Sequence, residues 1–153
     1  MSEYQQIDHS ALRTNQALII GFLALAFVLD APLLVAFVAV VMSIGALIPQ
    51  ARLFVRIYKH ILKPAGLIKP DVIVDNPEPH RFSMALGAVF TSLSALALLA
   101  GLTTIGWILS FIVIALASLN LVAGFCAGCF MYYQFNRLGV PGFNRAPVGQ
   151  GVT

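Results

Sequence analysis

An all-α integral membrane protein of four transmembrane helices, folded as two hairpins, is the class this sequence predicts. Three observations predict it. The chain is 59% hydrophobic and only 10% charged, with a mean hydropathy of +0.91. A soluble domain carries about 25% charged residues, so lipid must solvate much of this surface. Two apolar stretches, residues 17 to about 53 and 82 to about 133, contain no Lys or Arg except Arg52. Each is roughly twice the ~20 residues a helix needs to cross a bilayer. Each is broken once, by Asp30-Ala31-Pro32 and by Gly101-Leu102-Thr103-Thr104. Finally, all nine Lys and Arg residues fall on one side of the resulting plan. The positive-inside rule assigns that side, with both termini, to the cytoplasm of a bacterial inner membrane.

Residues 1–14 form a cytoplasmic N-terminal segment. Glu3 and Asp8 lie in it, and a second apolar segment follows the first almost at once, so a cleaved signal peptide is rejected. The first hairpin occupies 15–63. Its helices run over 15–29 and from 33 to about 62, with Asp30 and Pro32 at the turn and a kink at Pro49. Arg52, Arg56, Lys59 and Lys63 recur at intervals of four, three and four, which aligns them on one helix face. They predict an amphipathic extension lying on anionic lipid headgroups, each cation contributing ~1 kcal/mol; the plainer reading is positive-inside anchoring.

Residues 64–80 form a cytoplasmic loop in which Pro64, Pro70, Pro77 and Pro79 argue against a regular helix. Its Asp71, Asp75, Glu78 and His80 match no standard metal spacing, so no metal is expected of them. No histidine lies at mid-membrane depth, which argues against a haem held between helices, and no cofactor is expected. The second hairpin, 81–136, has one helix over 82–100 and a longer one over 105–136. Trp107 is placed at the outer interface, Tyr132 and Tyr133 at the inner one. The tail, 137–153, is rich in Gly and Pro. The basic charge sits beside membrane segments and no phosphate loop or RNA-binding aromatic motif occurs, so the expected partners are lipid and membrane proteins, with no nucleic acid.

A weak parallel repeat runs through the chain. Ile7-Asp8-His9 precedes the first hairpin as Val74-Asp75-Asn76 precedes the second, and Ser43 and Tyr58 match Ser118 and Tyr133. Each half has an even number of spans, so the halves share an orientation.

The chemistry concentrates in the last helix, Leu119 to Cys129. Cys126 and Cys129, the only cysteines, stand at i, i+3, close enough for a disulfide or a shared metal. Gly124 and Gly128 form a small-residue step for close helix packing, and Asn120, one turn earlier, needs a bonding partner across that interface. The cysteines are expected to point away from the Asn120 face. Read as the end of one long helix near the cytoplasmic leaflet, the pair should be reduced and sluggish, because desolvation and the helix dipole both disfavour a thiolate there. Three readings stay open: small packing residues, a dithiol redox pair, and a metal site that would need Met84, Met131 or a cytoplasmic His as further ligand.

Leu119-Asn120, Gly124-Phe125-Cys126, Gly128-Cys129 and Tyr132, with Pro79-His80-Arg81-Phe82 opening the second half, resemble a family of small bacterial four-helix membrane proteins, domain of unknown function 4395. The likeness spans about residues 8–138 and is looser in the first half. It implies an inner-membrane protein with a Cys-x-Gly-Cys-like signature, met here with Ala127 before Gly128, and it implies no particular activity. On sequence alone the favoured function is a non-catalytic accessory subunit or assembly factor of a larger membrane complex. The alternative is a membrane thiol–disulfide protein using Cys126 and Cys129 with a thioredoxin-like partner or quinone. A transporter ranks third, since Asp30 is the one acidic residue near a helix end that a proton path would have.

Overall fold

The structure, a computed structural model, describes residues 5–48, 56–66, 72–75 and 77–142. Its elements are β1 (Gln5–Asp8), α1 (His9–Val28), α2 (Pro32–Leu47), a π-helical segment (Tyr58–Leu62), β2 (Val72–Asp75), α3 (Pro77–Leu99), α4 (Thr103–Ala123) and α5 (Ala127–Arg137). Within α1, α3 and α4, the segments Ser10–Val28, Glu78–Leu99 and Thr103–Ala123 are long and apolar enough to cross a membrane. The apolar α2 is shorter at 16 residues, a length of ~24 Å. The four pack in a ring, α1 against α2 and α4, and α3 against α2 and α4. Ile19, Leu23, Val38, Met42, Leu98 and Val113 fill the centre. Leu25, Val40, Leu96, Ile108 and Phe111 are among the large apolar side chains exposed outward, the surface that lipid would cover.

Both hairpins close with the same hydrogen bonds. Ala31 N–H donates to the Ala26 carbonyl and Asp30 N–H to that of Phe27; in the second, Leu102 donates to Ala97 and Gly101 to Leu98. Each is a Schellman cap, and each puts one residue in the left-handed region, Asp30 at φ 47° and Gly101 at φ 85°. Asp is among the few residues with a side chain that tolerate this conformation. Asp30 therefore has a conformational role at the turn. In the second hairpin Ser94 Oγ donates to the Gly106 carbonyl at 2.7 Å and lies 2.7 Å from Ser110 Oγ. A Cβ at Gly106 would collide with Leu98, so the helices cross here at small-residue distance.

Of the segments matched as a repeat, Ile7-Asp8 lies in β1 and Val74-Asp75 in β2, whereas His9 opens α1 and Asn76 lies outside the described residues. The two strands pair antiparallel, Gln5 with Asp75 through Asp8 with Val72. Laying Gln5–Asp8 on Val72–Asp75 carries the Gln5–Asp75 pair onto Val72–Asp8, so the ribbon maps onto itself under a two-fold axis. The molecule is helical as predicted, apart from this ribbon at the end opposite the hairpin turns.

Three boundaries differ from expectation. First, α1 starts at His9 rather than at 15, directly behind β1. Second, α3 starts at Pro77 rather than 82, with Pro77 and Pro79 inside its first turn. The first-turn N–H groups have no intrahelical partner, so prolines there sacrifice no hydrogen bond. Third, the expected single helix over 105–136 is two helices, interrupted at Gly124-Phe125-Cys126. Beyond these three, α2 ends at Leu47 with Ile48 extended, short of the expected 62; Pro49, its expected kink, and Arg52 lie outside the described residues. Trp107, placed by sequence at an interface, is buried, its ring edge-on to Phe27 at 5.1 Å.

Candidate functional site

The interruption builds the site. Gly124 ends α4 in the left-handed conformation, φ 65°, its N–H donating to the Asn120 carbonyl. A Cβ at Gly124 would meet nothing within 4 Å. The residue therefore serves by its backbone angle, and the close-packing half of the expected glycine step is Gly128 alone. There a Cβ would lie 2.7 Å from Ser83 Cα, so the first turn of α5 rests on the backbone of α3. Tyr132 O–H donates to Glu78 Oε2 at 2.7 Å, and Phe82 packs against Tyr132 and Phe135, pinning α5 along the start of α3.

Cys126 is the N-cap of α5, with extended backbone (φ −89°, ψ 101°). Its Sγ accepts the Cys129 N–H at 3.2 Å. The expected position near the C-terminal end of a long helix is thus corrected: the pair opens a helix. The positive end of the α5 dipole and a directed N–H both stabilise negative charge on the Cys126 sulfur. The structure closes Cys126 and Cys129 as a disulfide, their Cα atoms 5.1 Å apart. Ser83 Oγ lies 3.3 Å from Cys126 Sγ, its hydroxyl donating to the bonded sulfur. His80 Nδ1 lies 3.8 Å from Cys129 Sγ. Cys129 is buried and Cys126 half-buried.

His80, Ser83 and Cys126 border a cavity of about 170 Å³ at the ribbon end of the bundle, which Asn15 and Asn120 also line. The break lets Cys126 share this cavity with Asn120, where an unbroken helix would have pointed it away. Asn120 has no side-chain hydrogen bond among the described residues, in place of the expected bond across a helix interface. Asn15 is 7% exposed, and its Oδ1 is buried without a partner. Arg13, Leu116 and Gly124 are exposed lining residues, so the cavity opens at its rim.

The ligand atoms of His80, Cys126 and Cys129 lie within 4.8 Å of one another. His80 is the further ligand that two thiolates would need, available only when the disulfide is open. Of the basic stripe, Arg56, Lys59 and Lys63 are exposed and do not line the cavity. Sequence reasoning placed His80 in a loop and did not single out Ser83 or Asn15. In sequence His80 stands in the Asp71, Asp75, Glu78 and His80 set and in the Pro79-His80-Arg81-Phe82 likeness, and neither pattern singles it out as the partner of the cysteines.

No characterised protein and no solved structure matches the chain. Residues 7–137, most of its length, match the family described as Domain of unknown function (DUF4395), and the chain belongs to that family.

Proposed function

We propose that this protein is a membrane thiol–disulfide exchange protein whose redox centre is Cys126–Cys129. One observation carries the reading: Cys126 caps α5 and its sulfur receives the Cys129 N–H. Packing cysteines need no such placement. An accessory subunit, the reading favoured by sequence, would not require a histidine and a serine hydroxyl at the two sulfurs.

The chemistry follows from exposure. In the reduced protein the Cys126 thiolate attacks a sulfur of the partner's disulfide, forming a mixed disulfide and releasing the partner's second sulfur as a thiolate. Cys129 then passes its proton to His80 Nδ1 and attacks Cys126 Sγ. The Cys126–Cys129 bond forms, the partner leaves as a dithiol, and two electrons have moved. The reverse sequence reduces the pair. Both termini and the site belong in this reading on the cytoplasmic face of a bacterial inner membrane. Four spans lie within that membrane, and Arg52, Arg56, Lys59 and Lys63 rest on anionic headgroups. A thioredoxin-like protein is a partner of matching chemistry.

The test is trapping in the native membrane. Cys129→Ser should accumulate a mixed disulfide between Cys126 and a partner, released by reductant, while Cys126→Ser/Cys129→Ser inserts normally and traps nothing. A pair whose labelling never changes with added reductant or oxidant would end the proposal.

A further inference from the structure

Cys126, the half-buried half of the disulfide, borders the cavity, while Cys129 is buried. We infer that this cavity takes the ring of a membrane quinone, making the quinone the two-electron partner of the Cys126–Cys129 pair. The inference rests on the proposed exchange function and names its second substrate.

Size and lining point the same way. A cavity of about 170 Å³ is close to the ~150 Å³ that accepts a benzene ring. It has room for one substituted ring. The walls are mostly apolar, with Met42, Phe90, Val113 and Ala117 among them. Arg13, Asn15, Gln16, His80, Ser83 and Asn120 are its polar lining residues, with Ser83 Oγ 3.3 Å from Cys126 Sγ. Asn15 is the informative one, since its side chain is more than nine-tenths buried and its Oδ1 lacks a partner. An amide offers an acceptor and a donor, matching a hydroquinone hydroxyl or a quinone carbonyl. A purely structural asparagine at this depth would be bonded. Leu116, exposed at the rim on α4 between apolar neighbours, marks an exit for an isoprenoid tail toward lipid.

The step balances. Cys126 and Cys129 as thiols lose two electrons and two protons and form the S–S bond. The quinone gains both and becomes the hydroquinone. His80 Nδ1, beside Cys129 Sγ, takes up the proton that Cys129 releases. The soluble dithiol of the exchange reaction returns the pair to its reduced state.

The experiment uses the full chain in detergent, reduced, freed of reductant and kept anaerobic. A benzoquinone with a one-isoprene tail is added, and hydroquinone and disulfide are followed together. Expected are one hydroquinone per disulfide, a rate that saturates with quinone, and about a tenfold higher half-saturating concentration in Asn15→Leu. The oxidised wild-type protein, which has no thiol to react, should also gain thermal stability with quinone, a readout that stands if Asn15→Leu fails to fold. A rate that stays linear in quinone, or no gain in stability, would overturn the inference. If the wild type still exchanges with glutathione disulfide, the proposed function survives that loss. If it exchanges with neither, both fall.

Discussion

The two sulfurs differ in their surroundings, and so should their reactivity. Cys126 sits at the positive end of α5 and accepts an N–H; Cys129 is buried beside His80. After reduction, a limiting amount of iodoacetamide at neutral pH should modify Cys126 in preference to Cys129, by roughly tenfold or more. Peptide mapping of the alkylated protein decides this. Equal labelling would show that the helix end has no influence on the thiolate. His80 should matter at the other step. His80→Ala should leave formation of the mixed disulfide intact and slow its resolution by roughly 10²-fold, the usual scale of a lost general base. Rapid quenching that finds unchanged resolution would leave His80 a neighbour only. The sequence revealed the cysteines because no others exist, but not their partners. His80 and Cys129 lie 49 residues apart, and only the packing of α5 on α3 brings them together. Asn15 reads in sequence as the first residue of a helix, and its buried, unpartnered oxygen depends on how α1 packs in the bundle.

At the scale of elements, two glycines do opposite jobs. Gly124 has open space and a left-handed backbone; Gly128 has a helical backbone and no space. Gly124→Ala should cost about 1 kcal/mol of stability, the penalty for a Cβ in that conformation, and should lower Cys126 reactivity by shifting the cap. Gly128→Ala should cost ~1–3 kcal/mol, because the Cβ meets the α3 backbone; Gly128→Leu should separate α5 from α3. Detergent melting curves with thiol labelling distinguish the two. If Gly128→Leu matches wild type in both, α5 does not rest on α3. The α4–α5 break was not legible because nothing in the local pattern announces it. Apolar residues continue through it, and glycine is common inside transmembrane helices. The prolines misled in the opposite sense. Pro77 and Pro79 are breakers in a helix interior but compatible with a first turn, and they open α3. The hairpin turns were legible, because Asp30-Ala31-Pro32 and Gly101 supply the chemistry that the caps require.

At the scale of the molecule, the two ends of the bundle differ in charge. Asp30 is the charged residue at the hairpin turns. Arg13, Arg81 and Arg137 belong to the ribbon end, near the starts of α1 and α3 and at the end of α5. Chain direction places Arg56, Lys59 and Lys63 beyond α2 at that end as well. The site lies there too, so the orientation of the chain decides which compartment meets the disulfide. Positive-inside retention predicts the cytoplasm. A reporter active only outside the inner membrane should be silent when fused after Asn136 and active when inserted between Gly101 and Leu102. The consequence is chemical. In a reducing compartment the pair must be reoxidised each cycle, which is the need a membrane quinone meets. In an oxidising compartment the disulfide would persist without turnover and act as a staple between the α4 end and α5. An active fusion after Asn136 would therefore reverse more than topology. It would remove the reason for an oxidant in the cavity and leave Cys126–Cys129 a structural bond.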